Sequence, residues 1–392
     1  MTEAPMTEAP VLRIAEAPLL GDAGLRAVWA AVPSARVVGG AVRDTLLGAP
    51  VADIDLATPQ PPAAVMAALT EAGLGAKPTG IAHGTVTAVA AGRGFEITTL
   101  RRDLATDGRR AVVAFTEEWR QDAARRDFTI NALSMDQAGG VYDYWGGIAD
   151  LRAGRVRFVG DPAARIAEDY LRVLRFFRFH ARFGRVTPDA ATLAAIRDGV
   201  PGLARLAPER VWRELRGLLA APSPAAALAM MRATGVLAAV LPEAVGEAPE
   251  KGDAMVRLAG LIGGAGAAQA AREIAARLRL SGAERDRLAA LVAGPAPAGE
   301  RQALRAAIAT LGREVVLGRL VLAGADAATM AMAQSEQVAP FPLRGRDLEA
   351  LGIGGGRAMG ELLREIEAWW LAGGAQADRE ACLAEARRRM AM

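Results

Sequence analysis

Two aspartates, Asp53 and Asp55, alternate with apolar residues in the run VADIDLAT. In an extended strand successive side chains point to opposite faces, so a D-x-D pair places both carboxylates on one side, a few ångströms apart. Like charges that close repel, and a cation held between them removes the conflict. Oxygen-only donors select a hard ion, Mg²⁺ first, which keeps waters and completes its shell with a substrate phosphate. The plain alternative is a solvated pair at a strand edge. Upstream stand Gly39 and Gly40. Without a Cβ, their backbone can approach a phosphate closely and offer N–H groups to it. Arg43 and Asp44 follow at the start of a predicted helix, so Val37 to Thr58 reads as strand, helix, strand.

Further groups lie downstream. Glu96, in FEITTLR, alternates with Phe95, Ile97 and Thr99. It either faces solvent or turns toward the aspartate pair as a third carboxylate. Arg125-Arg126-Asp127-Phe128-Thr129-Ile130-Asn131-Ala132-Leu133 reads as part of a helix from Trp119 to Leu133. There Asp127 and Asn131 share a face at i, i+4, and a carboxylate beside an amide can hold a ribose, whose hydroxyls need donors and acceptors. Phe128, Ile130 and Leu133 should turn to the core.

Asp169 and Arg172 stand at i, i+3 in EDYLRVLR, which continues to Arg175. This is an ordinary helical ion pair or a reader of bases. Cytosine and adenine each present an amine donor beside a ring-nitrogen acceptor; uracil and guanine present the reverse. A carboxylate next to a guanidinium suits the first two. It leaves polar groups of the other two unpaired, at about 1–3 kcal/mol each. Asp107-Gly108-Arg109 marks a turn inside a loop or hairpin over 103–118.

These strings resemble the signatures of the polymerase β-like nucleotidyltransferases, and more narrowly those of the second class of CCA-adding tRNA nucleotidyltransferases and bacterial poly(A) polymerases. The resemblance is dense from 37 to 215 and thin from about 220 to 340. It implies two Mg²⁺ ions on Asp53 and Asp55, with Glu96 a candidate third ligand. Gly39, Gly40, Arg43, Arg126, Asp127 and Asn131 would bind the nucleotide, Asp44 orienting Arg43. Asp169 and Arg172, with Arg175 beside them, would select the base as an amino-acid template. His83 would be an anchor near the strand of Glu96. Asp107, Gly108 and Arg109 would form the flexible loop used to switch from CTP to ATP, which favours complete CCA addition to a tRNA 3′ end. The implied partners are the tRNA acceptor arm, CTP and ATP, with no protein partner. The alternatives are a poly(A) polymerase or an enzyme adding only A or CC, an inactive RNA-binding relic, and a transferase acting on a small molecule. The long helical remainder and the intact aspartate pair argue against the last two.

The elements that must position these residues divide into two kinds. Strand, helix and turn signals before residue 150 predict an α+β head, a small mixed sheet with helices on one face. Beyond it, Ala- and Leu-rich runs punctuated by Pro and Gly predict an all-α neck, body and tail. The predicted divisions are a head over 1–150, a neck over 151–220, and a body and tail over 221–392. Of the 47 basic residues only Lys77 and Lys251 are lysines. The steepest excess of Arg falls in 151–185, a candidate surface for a polyanion. One cysteine, Cys382, and two histidines, His83 and His180, exclude an internal disulfide and any multi-His metal cluster. The acidic start MTEAPMTEAP has neither the basic nor the apolar region of a signal peptide, and the charge-free run 217–231 is too short to span a bilayer. A cytoplasmic location without a membrane anchor is expected.

Overall fold

The computed structural model describes residues 9–106 and 111–391. It forms two compact units. One runs to Ala207 and includes Ala226–Val240; the other comprises Pro208–Ala225 and Leu241 onward.

The first unit is built on an eight-stranded mixed sheet. Its strands are β1 (Leu12–Arg13), β2 (Arg36–Val38), β3 (Asp55–Thr58), β4 (Gly75–Gly80), β5 (Thr85–Ala90) and β6 (Arg93–Thr99), then β9 (Leu133–Met135) and β10 (Gly140–Asp143), in the order β1-β10-β9-β2-β3-β6-β5-β4. Only β3 and β6 pair in parallel. Between β6 and β9 in sequence, β7 (Arg101–Thr106) and β8 (Ala111–Phe115) make a separate hairpin. Helices α1 (Ala23–Ala31), α2 (Gly40–Leu46) and α3 (Pro62–Glu71) supply the other layer. Leu25, Val28 and Trp29 of α1 and Val65 and Leu69 of α3 are buried with Val86, Ala88, Phe95 and Ile97 of the sheet. Gly24 allows this close approach, because a Cβ there would stand 2.9 Å from the Phe95 ring. The short strand β1 lies in a stretch whose sequence reads as a disordered lead.

Two predicted helices are cut short. The helix expected over Trp119–Leu133 ends as α4 at Ala124. The chain then runs extended through Phe128, makes a 3₁₀ turn over Thr129–Asn131 and enters β9. A continued helix would carry Phe128, Ile130 and Leu133 around different faces. The extended path buries all three, and Thr129 N–H donates to the Arg157 carbonyl at 3.0 Å. After α5 (Gly147–Ala153), the helix expected from Pro162 to Phe183 divides into α6 (Pro162–Glu168) and α7 (Leu171–Phe183). Asp169 is extended, and its Oδ1 accepts from Leu171 N–H at 3.0 Å, a start signal stronger than continuation. Phe176 of α7 packs on Phe158 at 5.7 Å between ring centres, and Phe158 on Phe128 at 5.0 Å, binding α7 to the segment after α4. Helix α8 (Ala190–Gly199) packs on α6.

The remainder is helical: α9 (Pro208–Leu219), α10 (Ala225–Ala233), α11 (Val236–Val240), α12 (Ala254–Leu261), α13 (Ala267–Arg277), α14 (Gly282–Val292), α15 (Arg301–Leu311), α16 (Arg313–Leu322), α17 (Ala327–Ser335), α18 (Gly345–Glu349), α19 (Arg357–Ala372) and α20 (Arg379–Met390). This agrees with the all-α neck, body and tail expected from the Ala- and Leu-rich runs. In the second unit Leu304, Ile308, Val316 and Leu320 form one small core, and Leu348, Ile366, Trp370 and Cys382 another. Among the described residues no helix is long and apolar enough to cross a membrane.

Candidate active site

Asp53 lies just before β3 and Asp55 is its first residue. Both are exposed while Ile54 between them is buried, so the alternation expected of D-x-D holds although only one aspartate is inside the strand. Strand β6 runs parallel beside β3 with Glu96 opposite Asp55. Phe95, Ile97 and Thr99 are buried on the other face, and Glu96 accordingly projects on the side of the pair. Loss of water, then the charges of Glu96 and Asp53, push the Asp55 carboxyl above the usual carboxylate range; Arg126 opposes them. This repulsion between hard oxygen donors, offset only in part by Arg126, fits a divalent ion. Among the described residues no group of three or more His, Cys, Asp or Glu is placed to hold a metal. Glu96 is an electrostatic neighbour of Asp55 on this face.

The glycine pair forms a floor beside this face. Gly39 has φ +69°, and a Cβ there would lie 3.0 Å from Arg126 Nη1; one on Gly40 would lie 3.5 Å from Arg43 Nη2. Two guanidiniums thus approach the chain where side chains are missing. Gly39 N–H donates to the Leu133 carbonyl at 3.0 Å, so this amide serves the sheet and any cradling of phosphate begins at Gly40.

Arg43 is 7% exposed. Its Nη1 donates to Asn131 Oδ1 at 2.6 Å and its Nε to Asp44 Oδ1 at 3.0 Å. Its guanidinium lies 4.5 Å from the Phe183 ring centre. Burial lowers its pKa from the ordinary arginine value against the pull of Asp44, and the nearby Arg182 and Arg178 lower it further. Asn131 Nδ2 donates to Asp127 Oδ1 at 3.1 Å, and Asp127 Oδ2 accepts from Arg175 Nε at 2.6 Å. The i, i+4 helix predicted for Asp127 and Asn131 is absent, yet the 3₁₀ turn still joins them. Arg175 reaches Asp127 through both Nε and Nη2.

Asp169 and Arg172 do not pair as helical neighbours. Asp169 Oδ1 accepts from Leu171 N–H at the start of α7, while Arg172 forms an ion pair with Glu168 and donates to the carbonyls of Arg165 at 2.9 Å and Arg125 at 3.4 Å. Both are half-buried. Asp107, Gly108 and Arg109 lie outside the described residues, but β7 and β8 on either side pair as the hairpin reading expected.

Sequence reasoning passed over Asp122. It is 3% exposed, pairs with Arg125 at 2.9 Å and Arg126 at 3.2 Å, and accepts from Arg101 N–H at 3.3 Å. Burial alone would raise its pKa; Arg126 and Arg125 outweigh that and hold it below the usual range. The spacing i+3, i+4 from Asp122 across the end of α4 was a usable signal. Arg178, Arg182 and Phe183, which surround Arg43, were also missed, because their meeting with α2 is tertiary.

The mixed sheet, the glycine entry to α2 and the facing carboxylates define a nucleotidyltransferase head. Residues 35–157 match the family model described as poly A polymerase head domain, and residues 186–246 match the one described as a probable RNA and SrmB-binding site of polymerase A. The chain is 46% identical over 189 residues to CCA tRNA nucleotidyltransferase 1, mitochondrial, of Danio rerio, which covers 47% of this chain and 43% of that protein. It is 40% identical over 218 residues to the CCA-adding enzyme of Geobacillus stearothermophilus, covering 54% and 51%. The chain thus spans about half the length of the curated relatives it matches. The crystal structure of the Bacillus stearothermophilus CCA-adding enzyme in complex with CTP superposes with a TM-score of 0.72 at 26% identity, over 94% of this chain and 98% of that one. Residues 35–157 thus carry the likeness to a poly A polymerase head domain, and about half of the chain is similar to CCA-adding enzymes. Nucleotidyltransferases of this kind generally use divalent metal ions.

Proposed function

We propose that the protein adds C, C and A to the 3′ end of tRNA from CTP and ATP, without a nucleic-acid template and with release of pyrophosphate. The observation that carries this is the meeting of the Asp53–Asp55 face with Arg126 and Arg43 over the Gly39–Gly40 floor. Similarity to CCA-adding enzymes, one of them solved with CTP, supports the same reading.

The terminal ribose hydroxyl of the RNA attacks the α-phosphorus of the nucleoside triphosphate. The new oxygen–phosphorus bond forms as the bond to the β-phosphate oxygen breaks, and pyrophosphate leaves. Asp53 and Asp55 would hold the divalent ions, two Mg²⁺ on this reading, whose chemistry when bound would be to acidify the attacking hydroxyl and neutralise charge on the leaving group. Arg43 and Arg126 set positive charge over the glycine floor, where the triphosphate lies. Asp127 and Asn131 keep acceptor and donor capacity beyond their internal bonds, and present it to the ribose. Arg172, braced by Glu168, and Asp169, fixed by Leu171 N–H, read the amine and ring nitrogen of C and A. The helical units grip the acceptor arm by shape and phosphate. The location proposed is the cytoplasm.

Incubation of the purified protein with tRNA lacking its 3′ terminus and each nucleotide tests the reading on one gel. Three residues added with CTP and ATP together is the expected result. A long ladder with ATP alone would make the protein a poly(A) polymerase, and addition stopping at CC or requiring a CC end would make it a partial enzyme.

A further inference from the structure

The face that carries Asp55 continues past the carboxylates. Cross-strand pairing aligns Asp55, Glu96, Thr87 and Lys77 in one row over β3, β6, β5 and β4. The next row holds Thr98, Thr85 and Gly80, and the row on the other side Gly94, Val89 and Gly75. Directly opposed residues share a face, and the intervening Val86, Ala88, Phe95 and Ile97 fill the core. Thr85 and Thr98 hydroxyls are 3.0 Å apart, and those of Thr79 and Thr87 2.7 Å. The result is a flat strip, lined by hydroxyls and flanked by glycines, leading from the acidic pair to the exposed Lys77 on the edge strand. Three strand spacings make it about 14 Å long.

We propose that this strip seats the single-stranded 3′ end of the acceptor RNA. The inference rests on the nucleotidyl-transfer reading, which requires an attacking hydroxyl to reach Asp53 and Asp55 from this face. Threonine hydroxyls both donate and accept, as ribose 2′-hydroxyls and phosphate oxygens demand. Glycine positions let another backbone approach. Lys77 offers a charge for a phosphate, on the same surface as the carboxylates and in the same cross-strand row.

The chain has two lysines, Lys77 and Lys251, which makes amine footprinting specific. The full chain is acetylated alone, with an acceptor RNA bearing a single-stranded 3′ end, and with the same RNA cut back to a blunt duplex. Mass spectrometry reads each lysine. Lys77 should be protected by the first RNA and not by the second. In parallel, Thr87→Val should raise KM for the RNA about fivefold, as loss of one hydrogen bond implies, without moving KM for CTP. Extension of the RNA with Lys77 unprotected and KM unmoved overturns the strip alone. A wild-type protein that extends no RNA overturns the transfer reading and the strip together.

Discussion

At the scale of single residues, the site stores electrostatic conflict where the chemistry is proposed. Folding raises the Asp55 pKa through burial and the charges of Glu96 and Asp53. An acid whose folded pKa is raised favours the fold when protonated, and that contribution is lost as pH rises through the folded value. Asp55→Asn should therefore raise Tm at neutral pH, lose this gain below the ordinary carboxylate range, and abolish nucleotide incorporation. Thermal melts of both proteins across pH check the first two points. A divalent ion should raise the Tm of the wild type and leave the variant where it is. Asp122 has the opposite sign. Its lowered pKa, held by Arg126 and Arg125 against burial, stabilises above the ordinary carboxylate range and fails as pH falls through the folded value. Asp122→Ala should cost about 3 kcal/mol by leaving the two guanidiniums without their buried partner, measured by denaturant unfolding. The facing of Asp53 and Asp55 was legible because a period of two is visible in any strand. The burial of Arg43 was not, since Phe183 and Asn131 lie far away in sequence.

At the scale of elements, the structure departs from the sequence reading where tertiary packing competes with helical pattern. Arg125 to Leu133 carries polar residues at helical spacing, but three large apolar side chains require burial together, and extension achieves that. At Asp169 a side chain that accepts from Leu171 N–H wins over a continuous Arg-rich pattern. The break changes how base choice is argued. Arg172 is positioned from Glu168 and from two carbonyls on α6 and after α4, not from Asp169. Arg172→Ala should then relax discrimination against UTP and GTP, and Glu168→Gln should do so more weakly by freeing the guanidinium. Single-nucleotide incorporation with each triphosphate decides this; unchanged discrimination in both variants removes the template role. The mixed sheet and nearly every helix of the second half were legible, because alternation, Pro and Gly mark them directly. Helix α17, Ala327–Ser335, escaped because its Ala- and Met-rich run buries only Ala333 and shows no apolar face.

At the scale of the whole molecule, a sheet-based unit holds every proposed reacting group and the other unit is helical. Catalysis and RNA affinity should separate accordingly. Asp53→Ala should bind tRNA as the wild type does, with the same dependence on salt, while incorporating nothing; filter binding and end-addition assays on one preparation measure both.

The central claim is that the face of Asp53 and Asp55 gathers a divalent ion and a nucleotide's phosphates beneath Arg43 and Arg126. Crystals soaked with CTP and Mn²⁺ test it most directly, since anomalous scattering locates the metal. Metal bound by both carboxylates, with the triphosphate running over Gly39 and Gly40, is the result predicted. CTP ordered elsewhere, with both aspartates facing bulk water and no metal between them, would contradict it.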